Sequence, residues 1–397
     1  MHPDTASRFA SRLQAVRGDL RAAGVDGLLV THPPNVRYLT GLAATAGAAI
    51  VTASRCLLLA DFRYETSAHE LIAGRTPGTV ELVVPAGSYD AAIVAALAAV
   101  GARRVGVEAA ALTVGRFNRL QAALGPAPAP MRRSSARRGL VLVPLEALVE
   151  GRRTVKDATE VAILREAGRR IAAVAAELPS FVRAGRTERA IAGDIEAALR
   201  TAGFERPAFE TIVASGPNSA LPHARPGDRS LRPSEGVVLD FGGVYDGYCV
   251  DLTRTLFLGD PPPEIARMAV AVRAAHAAAI AMVRPGVLPG AIDAAARDLL
   301  AAAGLGEAFG HGTGHGLGLE VHEAPRIAKA SPDRADAPVA AGMVFTIEPG
   351  VYVAGLGGVR IEDDVLVVDG GCEVLTGGYS SGAGVPGAKV RRERGGG

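Results

Sequence analysis

Two stretches of the chain repeat one pattern at a constant offset. VRAGRTERAIAGDIEAALRTAG begins at Val182, and VRPGVLPGAIDAAARDLLAAAG begins at Val283. Alanine-rich helices resemble one another easily, so this likeness alone is weak. Each copy is, however, followed by a histidine and then by a strand pair that carries two acidic residues. We therefore predict two copies of a helix-plus-hairpin unit that face each other.

The length of 397 residues predicts two domains, since single hydrophobic cores stop growing at about 250 to 300 residues. Residues 1–150 alternate helical stretches with short apolar runs, which predicts an α/β domain. The repeat places an α+β domain with pseudo-twofold symmetry at residues 151–376, and the Gly- and Arg-rich segment 377–397 is expected to be a disordered tail. Thr154 is expected to cap a long helix that begins near Lys156.

Composition excludes several classes of protein. The formal net charge is +2 with acids and bases interspersed, so no nucleic-acid-binding face is expected. The start of the chain has no apolar core of signal-peptide type, and the apolar run at 91–100 is too short to span a bilayer. Three scattered cysteines offer no disulfide framework, which suits a reducing compartment. We expect a cytoplasmic protein that does not bind membranes.

The first acid pair lies in VVLDFGGVYDGYCVDLTRTLFL, residues 237–258, where Asp246-Gly247 is a two-residue hairpin turn signal. Side chains alternate faces along a strand, so Asp240 and Asp251 are expected to be diagonal neighbours on one face. A glycine at 242 is expected to leave space beside Asp251. The opposed pairs in this register are Tyr245 with Tyr248, Gly242 with Asp251, and Asp240 with Thr253.

The second acid pair lies in GMVFTIEPGVYVAGLGGVRIEDDVLVV, residues 342–368. Glu348 and Glu362 stand at equal distances on either side of Gly355, so they face the same way if the turn is symmetric. Two carboxylates that lie close together repel each other unless a proton or a cation lies between them. Four converging carboxylates and one histidine would form a centre for two oxygen-preferring divalent metals.

Each of these signals has a simpler explanation when taken alone. An Asp-Gly hairpin with a second acid is usually a solvated strand face, and the loop GHGTGHGLGLEVHE at 310–323 could be flexible without being reactive. Together, two acid pairs on apolar strands with histidines nearby lack such an explanation, because burying that many charges without a cation costs several kcal/mol each. The metal interpretation is therefore favoured.

The chain resembles the pita-bread metallopeptidases, specifically the Xaa-Pro aminopeptidase and prolidase group. The motifs are NVRYLTG and ADFRYE in the first domain, and TIVASGPNSALPH, LDFGGVYDGYCVDLTRT, HGTGHGLGLEVHEAP, FTIEPGVY and GGVRIEDD in the second. The likeness covers about residues 1 to 376. It implies a creatinase-like α/β N-terminal domain followed by an α+β pita-bread catalytic domain with an internal pseudo-twofold repeat.

The resemblance also implies roles for individual residues. Glu348 would accept a proton from the attacking water, while His223 and His322 would face the substrate. Arg326 would bind the carboxylate of a short substrate, with a surface ion pair as the simpler alternative. His311 is expected to be structural, and His276 to serve the core or the surface. The implied metal ligands are Asp240, Asp251, His315, Glu348 and Glu362.

The resemblance implies a dinuclear-metal Xaa-Pro aminopeptidase, and the composition predicts that it is cytoplasmic. One histidine against four carboxylates favours Mn²⁺, with Co²⁺ or Zn²⁺ able to substitute. The partner expected is a proline-containing peptide, and a homodimer is expected from related enzymes. A prolidase restricted to dipeptides is the nearest alternative. A methionine aminopeptidase would usually lack residues 1–150, creatinase-like members do not use this metal set, and a non-catalytic binding protein would lack ligands. Substrate length, the preferred first residue, the native metal and the oligomer stay open.

Overall fold

The computed structural model describes residues 4–73, 80–125, 139–331 and 336–377. The segment predicted to be a disordered tail lies outside these residues from 378 onward. The chain divides into two compact units, Met1–Arg153 and Thr154–Gly397, which are described separately below.

The first unit is built on a mixed six-stranded sheet with the strand order β4-β3-β2-β1-β5-β6. Its strands are β1 Gly27–Val30, β2 Ala48–Thr52, β3 Cys56–Leu59, β4 Glu81–Val83, β5 Arg104–Glu108 and β6 Val141–Leu145. The helices are α1 Asp4–Ala22, α2 Pro33–Thr40, α3 Glu65–Ala73, α4 Tyr89–Ala99, α5 Val114–Ala123 and α6 Leu148–Arg153. The central strands are buried along their whole length, as expected for short continuous apolar runs. The predicted α/β domain is confirmed.

The second unit has four long helices and eleven strands in the described ranges. The helices are α7 Ala158–Phe181, α8 Glu188–Thr201, α9 Pro263–Met282 and α10 Pro289–Ala302. The strands of the first half are β7 Arg206–Pro207, β8 Ile212–Ser215, β9 Gly236–Tyr245 and β10 Tyr248–Phe257. Those of the second half are β11 Gly314–Gly316, β12 Glu323–Ile327, β13 Val344–Ile347, β14 Gly350–Val353, β15 Gly357–Arg360, β16 Asp363–Val368 and β17 Gly371–Val374.

Three sheets arrange these strands. In the first half, β9 pairs with β10 on one side and with both β7 and β8 on the other. The second half has a five-stranded sheet with the order β12-β11-β13-β16-β17 and a separate β14–β15 hairpin. Helices α7 and α8 cover the first sheet with one hydrophobic core, and α9 and α10 cover the second half with another. The first of these cores also includes Leu317, Val344 and Leu366, so it extends into the second half.

The predicted internal repeat is present in the structure. Helices α8 and α10 begin and end at repeat-equivalent residues. The glycines that precede them, Gly185 and Gly286, have left-handed backbones with φ of 86° and 88°. Gly203 and Gly304, which follow the helices, are left-handed as well, with φ of 88° and 74°. Glycine adopts this conformation without the steric penalty of a side chain, so it ends both helices in the same way.

The prediction that Thr154 caps helix α7 is wrong. The helix begins at Ala158, and its N-cap is Asp157, three residues after Thr154. Its carboxylate accepts hydrogen bonds from the backbone of Thr159 and Glu160, and the Glu160 carboxylate accepts one from the backbone of Asp157. This reciprocal capping box satisfies more helix-end donors than one threonine hydroxyl can, which explains the later start.

Helix α9 is a long apolar helix that was not predicted from the sequence, because its apolar residues do not form one uninterrupted run. Among the described helices it alone has the length and composition needed to cross a membrane. Arg267, Arg273 and His276 interrupt its apolar sequence. The side chains of Met268 and Val272, together with its buried alanines, belong to the core of the second half. This packing accounts for its apolar character within the domain.

Candidate metal and peptide site

The first hairpin has the predicted register. Asp251 opposes Gly242, and Thr253 opposes Asp240. The turn residues Asp246 and Gly247 both have positive φ, 45° and 74°, which tight two-residue hairpins require. Asp240 and Asp251 therefore lie diagonally on one face of the strand pair.

The expectation of open space beside Gly242 is wrong. A Cβ atom at this glycine would collide with the ring of Phe209 and with the carbonyl oxygen of Val250. The backbone of Ala208 also donates a hydrogen bond to the Gly242 carbonyl at 3.1 Å. The glycine therefore admits the neighbouring chain segment, and the ring of Phe209 becomes part of the wall above the acids.

The second hairpin is symmetric about Gly355, as predicted. The outer ladder pairs Val344 with Leu366, and the inner ladder pairs Gly350 with Arg360, in one common register. Glu348 and Glu362 lie between the two ladders at equivalent positions. The Glu362 backbone donates a hydrogen bond to the Thr253 carbonyl at 3.1 Å, which joins the second hairpin to the first. The acids of the two hairpins are thereby brought together.

His315 enters the cluster from strand β11. Its Nδ1 lies 3.1 Å from the carbonyl oxygen of Gly316, so a proton on Nδ1 leaves the lone pair of Nε2 directed at the acids. Nε2 lies 3.4 Å from Oε1 of Glu348 and 4.0 Å from Oδ2 of Asp251. The Thr346 hydroxyl accepts a hydrogen bond from the His315 backbone and donates one to Glu348. One threonine thus aligns both side chains.

The glycines on either side of His315 are required by close packing. A Cβ atom at Gly314 would overlap the Thr346 carbonyl, and one at Gly316 would overlap the Ala324 carbonyl. What this backbone approaches directly is its neighbouring strands. His315 is held between those strands and cannot shift away from the acids.

The donor set fits a bound divalent cation. Ligand atoms of Asp251, His315 and Glu362 all lie within 4.8 Å of one another. Burial raises the pKa of Asp251 and of Glu362 well above the usual range, and the neighbouring acids raise both further. Within the described part of the chain, Oδ1 of Asp240 and Oδ1 of Asp251 are buried without a hydrogen-bond partner. Buried oxygens that repel one another and lack donors are the arrangement that a cation satisfies.

Arg360 is part of this cluster, and the sequence analysis gave it no role. Its guanidinium is buried and donates hydrogen bonds to Oδ2 of Asp240, to the Tyr352 hydroxyl at 2.8 Å and to the Thr253 hydroxyl at 3.1 Å. Thr253 in turn donates to Oε2 of Glu362 at 2.6 Å. Burial opposes the charge of Arg360, but the field of Asp240 and its neighbours raises its pKa. The alternation of side chains along a strand could have indicated this position of Arg360, because Arg360 and Glu362 are two residues apart and so project to the same face.

A cavity of about 1020 Å³ opens above the acids. His223, His322, Arg326 and Glu348 all line it, so the structure brings the predicted substrate-facing residues to one space. The rings of His322 and His315 are 4.3 Å apart between centroids. Partial burial lowers the pKa of His322, and His315 and His223 lower it further. These effects favour the neutral form of His322.

Arg326 lies directly opposite His315 on the neighbouring strand β12. Directly opposed residues of an antiparallel pair project to the same face, so the guanidinium belongs to the side of the sheet that holds the acids. The side chain is exposed to the cavity. This position agrees with the predicted contact to a substrate carboxylate, which remains a prediction.

The two remaining histidines of the second unit have supporting positions. His311 Nε2 lies 3.0 Å from the Tyr352 hydroxyl, the group that also receives a hydrogen bond from Arg360. His276 is buried on α9, with Nε2 3.3 Å from Oδ2 of Asp363. His276 therefore serves the core, and His311 supports the wall of the cavity.

A buried carboxylate on α10 holds the loop that precedes His315. Asp293 accepts hydrogen bonds from both the backbone and the hydroxyl of Thr313 and is paired with Arg297. Arg297 also donates to the carbonyls of Phe309 and His311. The Glu348 backbone donates to the Thr313 carbonyl at 2.7 Å. This clamp of Asp293 and Arg297, which the sequence analysis missed, fixes the loop against the acid hairpin.

The chain belongs to metallopeptidase family M24, whose model matches residues 162–369. The model of the creatinase/prolidase N-terminal domain matches residues 12–155. The expected combination of a creatinase-like domain and a metallopeptidase catalytic domain is confirmed. The protein is accordingly a peptidase of the hydrolase class, and peptides are its substrates.

Similar proteins span nearly the whole chain. An uncharacterised peptidase of Bacillus subtilis, YqhT, is 35% identical over 365 residues, which are 92% of this chain and 97% of that protein. The structure of an Xaa-Pro dipeptidase from Bacillus anthracis is 33% identical with a TM-score of 0.85, over 94% of this chain and 98% of that one. An X-Pro aminopeptidase from Thermotoga maritima is 32% identical with a TM-score of 0.77, over 90% and 96%.

The raised pKa values predict how metal and pH act together on stability. When a carboxyl group has a higher pKa in the folded state than in the unfolded state, its contribution to stability is greatest below the unfolded pKa, about 4. That contribution is lost as the pH rises through the folded pKa. For Asp251, Glu348 and Glu362 this loss applies to metal-free protein. A bound cation offsets it, so the difference in Tm between Mn²⁺-loaded and chelated protein should widen from about pH 5 to about pH 8.

Thermal unfolding at a series of pH values measures this difference directly. Mn²⁺ at one hundred times its Kd should stabilise by about 2.7 kcal/mol. Chelated Asp251→Asn protein is the matched control and should lose less stability over the same pH range, because one of the repelling charges is gone. A difference in Tm that is constant with pH would contradict the assignment of these acids to a metal centre.

Proposed function

We propose that this protein is an Xaa-Pro aminopeptidase that removes an N-terminal residue preceding proline. The observation that carries the proposal is the convergence of buried acids and His315 at the floor of a cavity that His223 and His322 line. Similarity to Xaa-Pro peptidases of known structure supports the substrate class. The residues proposed to hold two divalent ions are Asp240, Asp251, His315, Glu348 and Glu362.

When bound, two divalent ions would supply Lewis acidity and lower the pKa of water toward about 7. Mn²⁺ is the proposed metal, because four carboxylates and one imidazole form an oxygen-rich donor set. Co²⁺ or Zn²⁺ could occupy the same donors. The negative charge of the carboxylates also fits this proposal, because it would balance the positive charge of two such ions.

Glu348 is proposed to accept the proton of the attacking water and to return it to the leaving nitrogen. Burial raises the pKa of its carboxyl group above the usual range, which makes the group a better proton acceptor. The Thr346 hydroxyl, 3.3 Å from Oε1, fixes its orientation. Its backbone is held by Thr313, so the side chain projects from a rigid position.

His223 and His322 are proposed to donate hydrogen bonds to the scissile carbonyl as it gains negative charge. Neutral imidazole offers one N–H donor, and the lowered pKa of His322 favours that form. Donors placed where charge develops contribute about 2.7 to 4 kcal/mol each in comparable sites. These two residues therefore act on the transition state and leave metal binding to the acids.

A prolidase restricted to dipeptides is the second candidate. The position of Arg326 opposite His315 favours it, because an arginine there could bind the C-terminal carboxylate of a dipeptide with two parallel N–H bonds. Similar structures include both a dipeptidase and an aminopeptidase. A non-catalytic peptide-binding protein is disfavoured, since all five proposed ligands are present.

Location and assembly are proposed on separate grounds. A cytoplasmic location agrees with three cysteines that form no disulfide. A homodimer is proposed by analogy with related enzymes. Neither property enters the chemistry described above.

The histidine assignments predict different outcomes for two substitutions. His315→Ala should lose bound Mn²⁺, because it removes the only proposed nitrogen ligand. His322→Ala should keep the metal content near that of the unaltered protein while kcat falls by about 10²- to 10³-fold, as expected for one oxyanion donor. Elemental analysis and steady-state kinetics provide the two measurements. Equal loss of metal from both variants would show that the division between ligand and donor is wrong.

Substrate length is tested by offering Mn²⁺-loaded protein Xaa-Pro dipeptides and longer Xaa-Pro peptides side by side. If Arg326 binds a dipeptide carboxylate, Arg326→Ala should lower kcat/KM for dipeptides by about ten- to a hundredfold, which corresponds to about 1.5 to 3 kcal/mol. Longer peptides should be affected much less.

The matched control is Arg225→Ala, which removes another exposed arginine of the cavity, one that pairs with Glu210. It should leave the ratio of dipeptide to longer-peptide cleavage unchanged. Equal losses on both substrates for Arg326→Ala would count against length selection by this residue. Failure of the metal-loaded protein to cleave any Xaa-Pro peptide would overturn the proposed function itself.

A further inference from the structure

Glu188 is a buried carboxylate outside the acid cluster, with 1% of its surface exposed. It lies in the first turn of helix α8. Its Oε1 accepts hydrogen bonds from the backbone and the hydroxyl of Ser215, at 2.8 and 2.7 Å, and from the Asn218 amide at 3.1 Å. Its Oε2 accepts from the Gly227 backbone at 3.2 Å. A single side chain thus serves donors that are twelve residues apart in sequence.

These donors stand at the two ends of segment 215–227, which contains His223. Backbone bonds reinforce the closure, because the Glu188 N–H donates to the Arg229 carbonyl at 3.1 Å and the Arg189 N–H donates to the Gly227 carbonyl at 3.0 Å. The segment leaves strand β8, crosses the wall of the cavity and returns to the same helix end. Glu188 therefore closes the segment as a loop of fixed shape.

The middle of the segment is tied to the second hairpin. The Ser219 hydroxyl accepts a hydrogen bond from the Gly358 backbone at 2.8 Å, and Arg360 donates to the Pro222 carbonyl at 3.4 Å. Pro222 directly precedes His223. The base of the loop is held by Glu188 and its far side by the hairpin that carries Glu362, so His223 is placed relative to the acids from both directions.

The repeat shows that helix α8 does not need a glutamate at this position. The equivalent residue of α10 is Pro289, and α10 begins at the corresponding place. In that half the loop before His315 is instead held by Asp293, one helical turn further on. Each half has its own buried carboxylate for its own loop, so Glu188 is matched to segment 215–227 and is not a general requirement of the helix.

We propose that Glu188 is a positioning residue that acts through His223: it fixes the loop so that the imidazole reaches the scissile carbonyl. This inference rests on the role proposed above for His223. Glutamine at position 188 would keep the volume of the side chain but would present an NH₂ group in place of one acceptor oxygen. The backbone N–H groups of Ser215 and Gly227 can only donate, so whichever of them faces the new NH₂ group loses its acceptor and one end of the loop is released.

The test is a double-mutant cycle on Mn²⁺-loaded full-length protein. Glu188→Gln alone should lower kcat for an Xaa-Pro peptide by about ten- to a hundredfold, the loss expected when a catalytic group is displaced by about 1 Å, with unchanged metal content. In a His223→Ala background the same substitution should change kcat by less than about twofold, because the group that it positions is absent. The control is Asp194→Asn. Asp194 lies further along α8 and pairs with Arg186, and the loss of this ion pair should leave kcat unchanged.

Hydrogen–deuterium exchange gives a measurement that does not depend on activity. Glu188→Gln should increase exchange in segment 215–227 and leave strands β9 and β10 as protected as before. Asn218→Ala, which removes one partner of Glu188 without altering the helix, should produce a smaller change in the same segment. It also supplies the test if Glu188→Gln fails to fold.

The two proposals fail in different ways. If the unaltered protein cleaves no Xaa-Pro peptide, the proposed function is wrong, and the exchange data still decide whether Glu188 orders the loop. If it cleaves peptides but Glu188→Gln lowers kcat equally with and without His223, the positioning role is overturned. Increased exchange throughout the second unit would overturn it as well, since that result would assign Glu188 to general stability.

Discussion

The mutual repulsion of buried carboxylates is the constraint around which the second unit is organised. Two unit charges 4 Å apart interact by about 4 kcal/mol at the effective dielectric of a protein surface, and burial adds desolvation costs. Arg360 offsets part of this repulsion through its ion pair with Asp240, through its field on Glu362 and through the Thr253 hydroxyl that links it to Glu362. The remaining negative charge is what a divalent cation would neutralise. The acids are therefore compatible with a stable fold when a cation or, at low pH, bound protons offset their repulsion.

The surrounding structure holds these acids at short distances despite their repulsion. The first acid hairpin is one continuous ladder, and the second consists of two ladders in one common register. A one-residue slip in either would turn the carboxylates to the other face. Outside the ladders, two buried carboxylates fasten the loops that carry histidines: Glu188 holds the loop of His223, and Asp293 holds the loop before His315. The internal repeat thus supplies two similar supports, and each half contributes a different part of the site.

Much of this arrangement could be predicted from sequence, because periodicity decides it locally. The turn at Asp246 and Gly247 and the symmetry about Gly355 give both hairpin registers by counting. The features that were missed depend on residues distant in sequence. Space at Gly242 is taken by Phe209 from another segment. Strand parity could place Arg360 on the face of Glu362, but its contacts with Asp240 and Thr253 come from the other hairpin and could not be read from its own strand.

Anomalous diffraction from crystals soaked with Mn²⁺ would locate the metal at the acid cluster independently of activity. Two anomalous peaks are expected within coordination distance of the five proposed ligands, separated by about 3.5 to 4 Å. Both should weaken in crystals of Asp251→Asn protein. Crystals of unaltered protein that show no peak at these acids, or a peak only at some other surface, would contradict the account.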